Sequence, residues 1–329
     1  MWLMWVGFLA FVALILALDL GVFNKRPHAP SMREALAFTA MTTALAVAFA
    51  GFIWFAYDHH LMGLGTTPDG VDHRINDGRL AAVKFITGYV VEMSLSMDNV
   101  FVFALILEHL KVPVALQHRV LFWGILGALG MRGAAIGAGA ALVSRYEWVL
   151  LVFGVFLIYT AVKMLLAKHK EESAEEAFLV RWLNKHFRVT KEFHGSAFTI
   201  KHDGKRFITP LMVALVVVDF TDLVFAVDSI PAIFAITTDA FLVFTSNVFA
   251  ILCLRSLYFG LVALIEKFRY LKVSLAVILG LVGAKMLTAE WLHRLVGDAV
   301  NFWMLGVVIG ILALGAVASS VIKPGGEPA

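Results

Sequence analysis

Residues 207–236 read FITPLMVALVVVDFTDLVFAVDSIPAIFAI, an apolar run that carries three carboxylates, Asp219, Asp222 and Asp228, and an internal proline, Pro231. At about 1.5 Å per residue, such a run forms a helix long enough to cross a hydrocarbon layer of about 30 Å. Acidic side chains in the middle of a membrane span cost about 2.5–3.5 kcal/mol each on insertion scales, so they are usually paired or functional. The stretch therefore predicts a transmembrane helix with chemically important acids.

Apolar runs of similar length recur along the 329 residues, of which 60% are hydrophobic and 16% charged. A soluble domain of this size needs less apolar surface, so we predict an all-α polytopic membrane protein with about nine transmembrane helices. The predicted spans are Trp2–Phe23, Ala35–Tyr57, Ala81–Leu107, Ala115–Leu142, Glu147–Ala167, Phe207–Ile236, Asp239–Leu264, Leu271–Ala289 and Val300–Ile322. No Lys or Arg precedes the first span and it is long, so we expect it to stay in the mature protein.

The Lys and Arg residues between the spans predict the orientation. If the N-terminus is outside the cell and the C-terminus is in the cytoplasm, most of these Lys and Arg residues lie on the cytoplasmic side. We therefore predict this orientation, with the protein in the inner membrane. The net charge of +3 then reflects topology, so lipid is an expected partner and nucleic acid is not. The single cysteine, Cys253, lies in a predicted span and excludes a disulfide framework. The oligomeric state is not readable from the sequence.

An internal repeat relates the two halves of the chain. The segment from Glu92 to Asp98 aligns with that from Asp222 to Asp228, and Arg132 and Lys163 correspond to Arg255 and Lys285. We predict two inverted three-helix units, the architecture of many secondary transporters. The predicted organisation is a two-helix segment with an outer loop (1–80), the first repeat (81–167), an insertion (168–206), the second repeat (207–289) and a C-terminal helix with a tail (290–329).

The hydrophilic insertion reads as a small cytoplasmic α/β unit. An amphipathic helix is predicted around Glu176–Phe187, and Asp203-Gly204 favours a tight turn between two strands. A linker lying against the membrane face is the alternative interpretation.

The buried acids suggest a path for a hard divalent cation. They outnumber the deep cations, Arg132 and Arg255, so some must be protonated, hydrated or balanced by a bound ion. Every His lies in a loop or near a helix end, which disfavours zinc and copper, whereas oxygen ligands suit Mg²⁺, Ca²⁺ and Mn²⁺. The candidate metal ligands are Asp19, Glu92, Asp98, Asn99, Asp219, Asp222 and Asp228. We expect a transported ion and no resident cofactor.

Helical geometry limits how these acids can cooperate. At about 100° per residue, Asp219 and Asp228 lie nearly opposite each other, and Glu92 and Asp98 are about 120° apart. Either the helices are broken near the acids, or the acids serve separate sites along a pathway. Because Pro231 disturbs hydrogen bonding near Val227, we predict a discontinuous helix there, with a bent continuous helix as the alternative. We also expect Lys163 and Lys285 to reach the membrane interface.

The motifs from Glu92 through Asp98-Asn99 and from Asp219 through Asp228-Ser-Ile-Pro231 resemble those of the TerC/Alx family of membrane proteins, and the similarity covers nearly the whole chain. The resemblance implies manganese export with acidic residues at Glu92, Asp98, Asp222 and Asp228, and kinship with the LysE-type exporters. The chain departs from the family pattern at Met93, where many relatives carry Lys, and at Asp219, where Glu is expected.

Other functions are also compatible with parts of the sequence. Buried carboxylates can exchange a proton for a metal ion, so proton-coupled export is a hypothesis. A membrane scaffold that assists metal loading of other proteins, and an amino-acid or amine exporter, are alternatives. An intramembrane aspartyl protease could also use paired aspartates, but no Gly-x-Gly-Asp segment is present. We therefore do not expect an enzyme.

Overall fold

The computed structural model describes residues 2–18, 32–146, 148–166, 174–190, 192–202, 204–262, 271–288, 291–292 and 299–321. Within these ranges it contains ten α-helices and one β-hairpin. The helices are α1 (Trp2–Leu18), α2 (Met32–Asp58), α3 (Gly78–His109), α4 (Val114–Arg145), α5 (Trp148–Leu166), α6 (Ala174–His186), α7 (Pro210–Phe234), α8 (Ala240–Val262), α9 (Leu271–Leu287) and α10 (Ala299–Val321), and the strands are β1 (Thr199–His202) and β2 (Lys205–Ile208).

Six of the described helices are long and apolar enough to cross a membrane, namely α2, α3, α4, α5, α7 and α10. Three further apolar stretches are shorter and belong to α1, α8 and α9. Many large apolar side chains on these helices are exposed, as lipid-facing surfaces require, for example Trp54 and Val155. The protein is therefore an all-α polytopic membrane protein, as predicted.

The helices pack in pairs that are distant in sequence. α3 lies along α8, α4 against α7, and α5 against α9. The α5–α9 contact is close because both helices present glycine there: a Cβ atom on Gly283 would lie 2.9 Å from the carbonyl oxygen of Gly154. Small residues at such crossings let helix backbones approach in a lipid environment.

Aromatic side chains join the N-terminal helices to this core. The Phe49 ring of α2 lies 4.9 Å from the Phe249 ring of α8 and 5.4 Å from the Phe85 ring of α3, measured between centroids. Phe8 of α1 contacts Phe49 and Phe249 at 5.4 and 6.1 Å. These tilted ring contacts anchor α1 and α2 through large buried areas.

Contacts at the two ends show that α8 runs opposite to α2 and to α4. At one end, Tyr57 at the end of α2 donates a hydrogen bond of 2.8 Å to Asp239, just before α8. At the other end, Tyr258 in the last turns of α8 donates to Gln117 in the first turn of α4 at 2.9 Å. We call the first the Asp239 end and the second the Gln117 end.

The helix and hairpin of the 168–206 segment form as predicted. α6 begins two residues before the predicted helix and ends one residue before its predicted end, and β1 and β2 pair antiparallel with His202 opposite Lys205. Gly204, in the connecting turn, has a φ of 72°, a left-handed conformation that glycine adopts easily.

The prediction of a discontinuous helix at Pro231 is wrong. α7 runs without a break from Pro210 to Phe234 with Pro231 inside it. Pro231 lies in the last turn, so its missing N–H removes one hydrogen bond close to a helix end, where the backbone tolerates the loss.

Candidate cation site

Arg132 of α4 is the centre of a buried ionic network between α3, α4, α7 and α8. Its side chain is 1% exposed. The guanidinium binds Asp222 of α7 through two parallel hydrogen bonds, Nε to Oδ2 and Nη2 to Oδ1, both of 3.0 Å. This two-point geometry is the strongest that Arg forms with a carboxylate.

The same guanidinium also binds Glu92 of α3. Arg132 Nη1 donates to Glu92 Oε1 and to the amide oxygen of Asn247, the latter at 3.0 Å. The Asn247 amide group in turn donates to Glu92 Oε2 at 3.1 Å. These hydrogen bonds therefore join four helices. We call the four side chains, Arg132, Glu92, Asp222 and Asn247, the central network.

The central network does not balance its own charge. One guanidinium contacts two carboxylates, and Glu92 and Asp222 are both buried. With both acids ionised, the network carries one excess negative charge in a low-dielectric region, which is unfavourable without a further cation or proton.

A cavity adjoins the central network on the side of the Gln117 end. Its wall includes Asp219 and Asp222 of α7, Gly124 and Ala128 of α4, and Phe103 of α3. Asp219 Oδ1 is buried and has no hydrogen-bond partner. Gly124 and Gly127 make room for this carboxylate, because a Cβ atom on Gly127 would lie 2.5 Å from Asp219 Oδ2. The cavity thus contains an unsatisfied acidic oxygen one helical turn from Asp222.

Two neighbouring polar residues of α3 are buried on the same helix face as Glu92. Ser96 is fully buried and its hydroxyl has no partner, and Asn99 is 7% exposed. Residues four and seven positions after Glu92 follow the helical repeat, so they lie between the central network and Phe103 of the cavity wall. They extend the polar surface toward Asp219.

The remaining predicted ligands are not part of this group. Asp228 is half-buried and accepts a hydrogen bond of 3.3 Å from Thr160 of α5, so it belongs to another face of α7. The side chains of Asp98 and Arg255 and all of Asp19 lie outside the described residues. Among the side chains that the structure describes, no three His, Cys, Asp or Glu residues are close enough together to hold a metal ion.

A second buried network, which the sequence did not predict, lies at the Asp239 end. Lys84 of α3 is 1% exposed and contacts Asp69 at 2.9 Å and Asp72 at 2.8 Å. Asn76 accepts a further hydrogen bond of 2.7 Å from Lys84. The 59–77 loop is thereby folded into the end of the bundle. We call Asp69, Asp72, Asn76 and Lys84 the loop network.

The loop network also connects to the turn between α7 and α8 and to α9 and α10. Asp69 accepts hydrogen bonds from the hydroxyl of Thr237 and from the backbone N–H and hydroxyl of Thr238, the last two at 3.0 Å. Asn301 of α10 donates to Asp72 at 3.4 Å and accepts a hydrogen bond of 3.0 Å from Lys285 of α9, which is buried. The expectation that Lys285 reaches the membrane interface is therefore wrong, because buried oxygen partners are available at the helix end.

These surroundings shift the acidity of the loop carboxylates in opposite directions. Burial raises the pKa of Asp69, but the charge of Lys84 and the hydrogen bonds from Thr237 and Thr238 outweigh it and lower the pKa to about 2. Burial raises the pKa of Asp239, with the Tyr57 hydrogen bond opposing the shift. Asp69 is thus held as a carboxylate.

The fold and these networks define a polytopic α-helical membrane protein with unbalanced acidic groups buried among its spans. The chain belongs to the Integral membrane protein TerC family, which matches residues 78–326. It is 43% identical to a Myxococcus xanthus protein described as "Uncharacterized membrane protein STKORF319" over 318 residues, 97% of this chain and 92% of that protein.

Two further relatives are described as "Putative membrane-bound redox modulator Alx". The Salmonella typhi protein is 42% identical over 323 residues, 98% of this chain and 95% of its own. The Escherichia coli (strain K12) protein is 42% identical over 318 residues, 95% of this chain and 92% of its own. No solved structure matches the chain.

Proposed function

We propose that the protein exports a divalent metal cation, with Mn²⁺ as the preferred ion, by means of its buried carboxylates. The observation that carries the proposal is the charge of the central network and its cavity. Arg132 is shared by Glu92 and Asp222, and the neighbouring Asp219 has a buried oxygen without a partner. A cation entering the cavity would satisfy this oxygen and offset the excess negative charge.

The ligand chemistry supports a hard ion. Carboxylate and amide oxygens are the preferred ligands of Mn²⁺, Mg²⁺ and Ca²⁺. Asp219 and Asp222 line the cavity and are the first ligands that we assign to an ion there. We assign Asn99, one turn before Phe103 of the cavity wall, to the approach to this position. Because α7 is continuous and Asp228 faces α5, we assign Asp228 to another position along the path. Asp98 and Asp19 stay predicted ligands, since the structure does not describe their side chains.

The proposal includes a topology. We infer nine spans in the inner membrane, with the N-terminus outside, the C-terminus in the cytoplasm, and α6 with the hairpin as a cytoplasmic insertion. We also infer that α3–α5 and α7–α9 are inverted repeats. In such a repeat α3, α4 and α5 are equivalent to α7, α8 and α9. The packing pattern supports this, because the contact between α3 and α8 then has its equivalent in the contact between α7 and α4, and α5 packs on its own equivalent, α9.

Metal flux into and out of proteoliposomes tests the proposal. We expect Asp219→Asn and Asp222→Asn to reduce Mn²⁺ flux by about tenfold or more, because each removes a charged oxygen ligand. Asp98→Asn and Asp228→Asn should also reduce it. Asp58→Asn, at the exposed end of α2, is the matched control and should leave flux unchanged. Equal flux in all five variants and the wild type would refute the cation path.

The same vesicles separate the other functions. Coupling to protons predicts that an imposed pH gradient changes the Mn²⁺ flux, and indifference to the gradient would remove coupling but leave the path intact. Flux of an amine instead of Mn²⁺, lost in the same variants, would support an amine exporter. Absence of any flux, together with a stoichiometric protein partner, would support a metal-loading scaffold.

A redox role, suggested by the names of the two Alx relatives, has less support from the residues of this chain. Cys253 is the one cysteine in the sequence, and it is fully buried. A single buried thiol cannot form an intramolecular disulfide, so the proposal rests on the carboxylates.

A further inference from the structure

α6 has two chemically different faces, and its inner face packs on the protein. Leu183 is 4% exposed and belongs to the same buried cluster as Leu211 and Ala214 in the first turns of α7. Leu179 packs against this cluster as well. α6 is therefore fixed at the level where α7, a membrane-spanning helix, begins.

The opposite face of α6 exposes aromatic side chains. Phe178 is 65% exposed and Trp182, one turn later, is 42% exposed. Phe187, which follows the helix, is 48% exposed and its ring lies 6.0 Å from that of Trp182. An aromatic surface of this kind is unfavourable in water, whereas Trp and Phe rings on an amphipathic helix are favoured at the boundary between hydrocarbon and headgroups.

Basic side chains lie on the same exposed face. Arg181 and Lys185 are spaced four residues apart, next to Phe178 and Trp182 along the helix, and both are exposed. Arg188 is also exposed and follows Phe187 directly. Aromatic rings between long basic side chains are the pattern of a helix that lies in an anionic lipid surface, with the rings inserted and the charges at the phosphates.

We propose that this face of α6, formed by Phe178, Arg181, Trp182 and Lys185 and continued after the helix by Arg188, docks on the anionic phospholipid headgroups of the membrane leaflet at the Gln117 end. Three features select lipid as the occupant. The face carries positive charge complementary to phosphate, its rings match an interface, and the start of α7 places it at the depth of the headgroup layer. The proposal does not depend on the transported substrate.

Trp182 provides a direct probe of this contact in the full-length protein. Emission of the wild type minus that of Trp182→Phe isolates this indole from the other Trp residues. In nanodiscs that contain phosphatidylglycerol, we expect lipids brominated in the acyl chain to quench the difference emission, and aqueous iodide to quench it weakly. Strong quenching by iodide and none by bromolipid would overturn the proposal, because the face would then lie in water.

Charge removal tests the role of the headgroups. Phosphatidylglycerol, relative to phosphatidylcholine, should raise the thermal unfolding temperature of the wild type, and Arg181→Gln/Lys185→Gln should lose about half or more of this increase. Lys201→Gln/Lys205→Gln is the matched control: it removes the same charge from exposed positions of the hairpin and should retain the increase.

The remaining outcomes also decide the question. An equal loss in both double variants would overturn the proposal, because it would show a general charge effect. Protection of Trp182 from both quenchers would also overturn the proposal, because a protein partner or a second copy of the chain would then cover the face. Crosslinking in the nanodisc would show which of these two proteins covers it.

Discussion

Removing Arg132 tests the charge imbalance on which the cation path depends. In Arg132→Met, Glu92 and Asp222 stay buried but lose the guanidinium that donates to both. Breaking a buried ion pair by removing one partner costs about 3–5 kcal/mol. Because one guanidinium serves two carboxylates here, we expect a loss near the top of this range, about 5 kcal/mol, which changes the unfolding equilibrium by more than about a thousandfold.

A triple variant separates this electrostatic effect from a loss of packing. Arg132→Met/Glu92→Gln/Asp222→Asn removes all three charges and keeps side chains of similar size. Replacing a buried ionic group by neutral residues is often nearly neutral in stability, so the triple variant should recover at least about half of the loss. Unfolding in mixed micelles, titrated with dodecyl sulfate and followed by far-ultraviolet circular dichroism, gives the free energies.

Arg145→Met is the control on the same helix. Arg145 is exposed and its guanidinium lies 5.8 Å from the Tyr146 ring, a contact worth about 0.5–1 kcal/mol at an exposed site. If Arg132→Met were no more destabilising than Arg145→Met, the buried acids would not depend on the guanidinium. If the triple variant were as unstable as Arg132→Met, packing rather than charge would explain the loss. Either result would contradict the reasoning.

Three further perturbations follow from the Asp239 end. Lys84→Met should destabilise the protein by about 3–5 kcal/mol, because it leaves buried carboxylates unpaired, and Lys84→Met/Asp69→Asn should recover part of this loss in the same titration. The pKa of Asp69 is lowered to about 2, so its stabilising contribution of about 2 kcal/mol is complete above about pH 4 and disappears as the pH falls toward 2. The wild type should thus exceed Asp69→Asn in unfolding temperature at pH 6 and lose this advantage near pH 2; an advantage that grew on acidification would contradict the sign. Gly78→Ala should cost about 1–3 kcal/mol, because the new Cβ atom would lie 2.1 Å from the carbonyl oxygen of Trp54, whereas Gly51→Ala meets no atom within 4 Å and should not destabilise.

Much of the fold was predictable because membrane thickness and turn chemistry act locally. Membrane thickness sets the length of an apolar helix, so each long apolar run marks one helix irrespective of its neighbours. The Asp203-Gly204 turn likewise predicted the hairpin from two residues. The pairing of α3 with α8 and α4 with α7 depends instead on which helix faces meet, and hydrophobicity does not reveal this, because lipid tails are as apolar as the side chains between packed helices.

The candidate site was only partly predictable, for a related reason. The cost of burying an acid singles out Glu92 and Asp222 from the sequence alone. That both contact the same Arg132 is a fact of three-dimensional packing. Asp69 was missed because an acid in a loop with basic neighbours is usually solvated. The available signal was Lys84, a cation several residues inside a span that directly follows a loop with three acids, Asp69, Asp72 and Asp77.

The positions of the two networks define what export would require of this fold. Lys84 and Glu92 lie eight residues apart on α3, a separation of about 12 Å along the helix axis. The cavity beside Asp219 lies on the other side of the central network, toward the Gln117 end. An ion that moves from this cavity to the Asp239 end must first pass Arg132 and then the buried Asp69, which is tied to α3 and to the α7–α8 turn. The proposed transport therefore needs the loop network to open while the ion is bound. The positive charge of the ion attracts Asp222 and Glu92, and this attraction can release Arg132 from the two carboxylates.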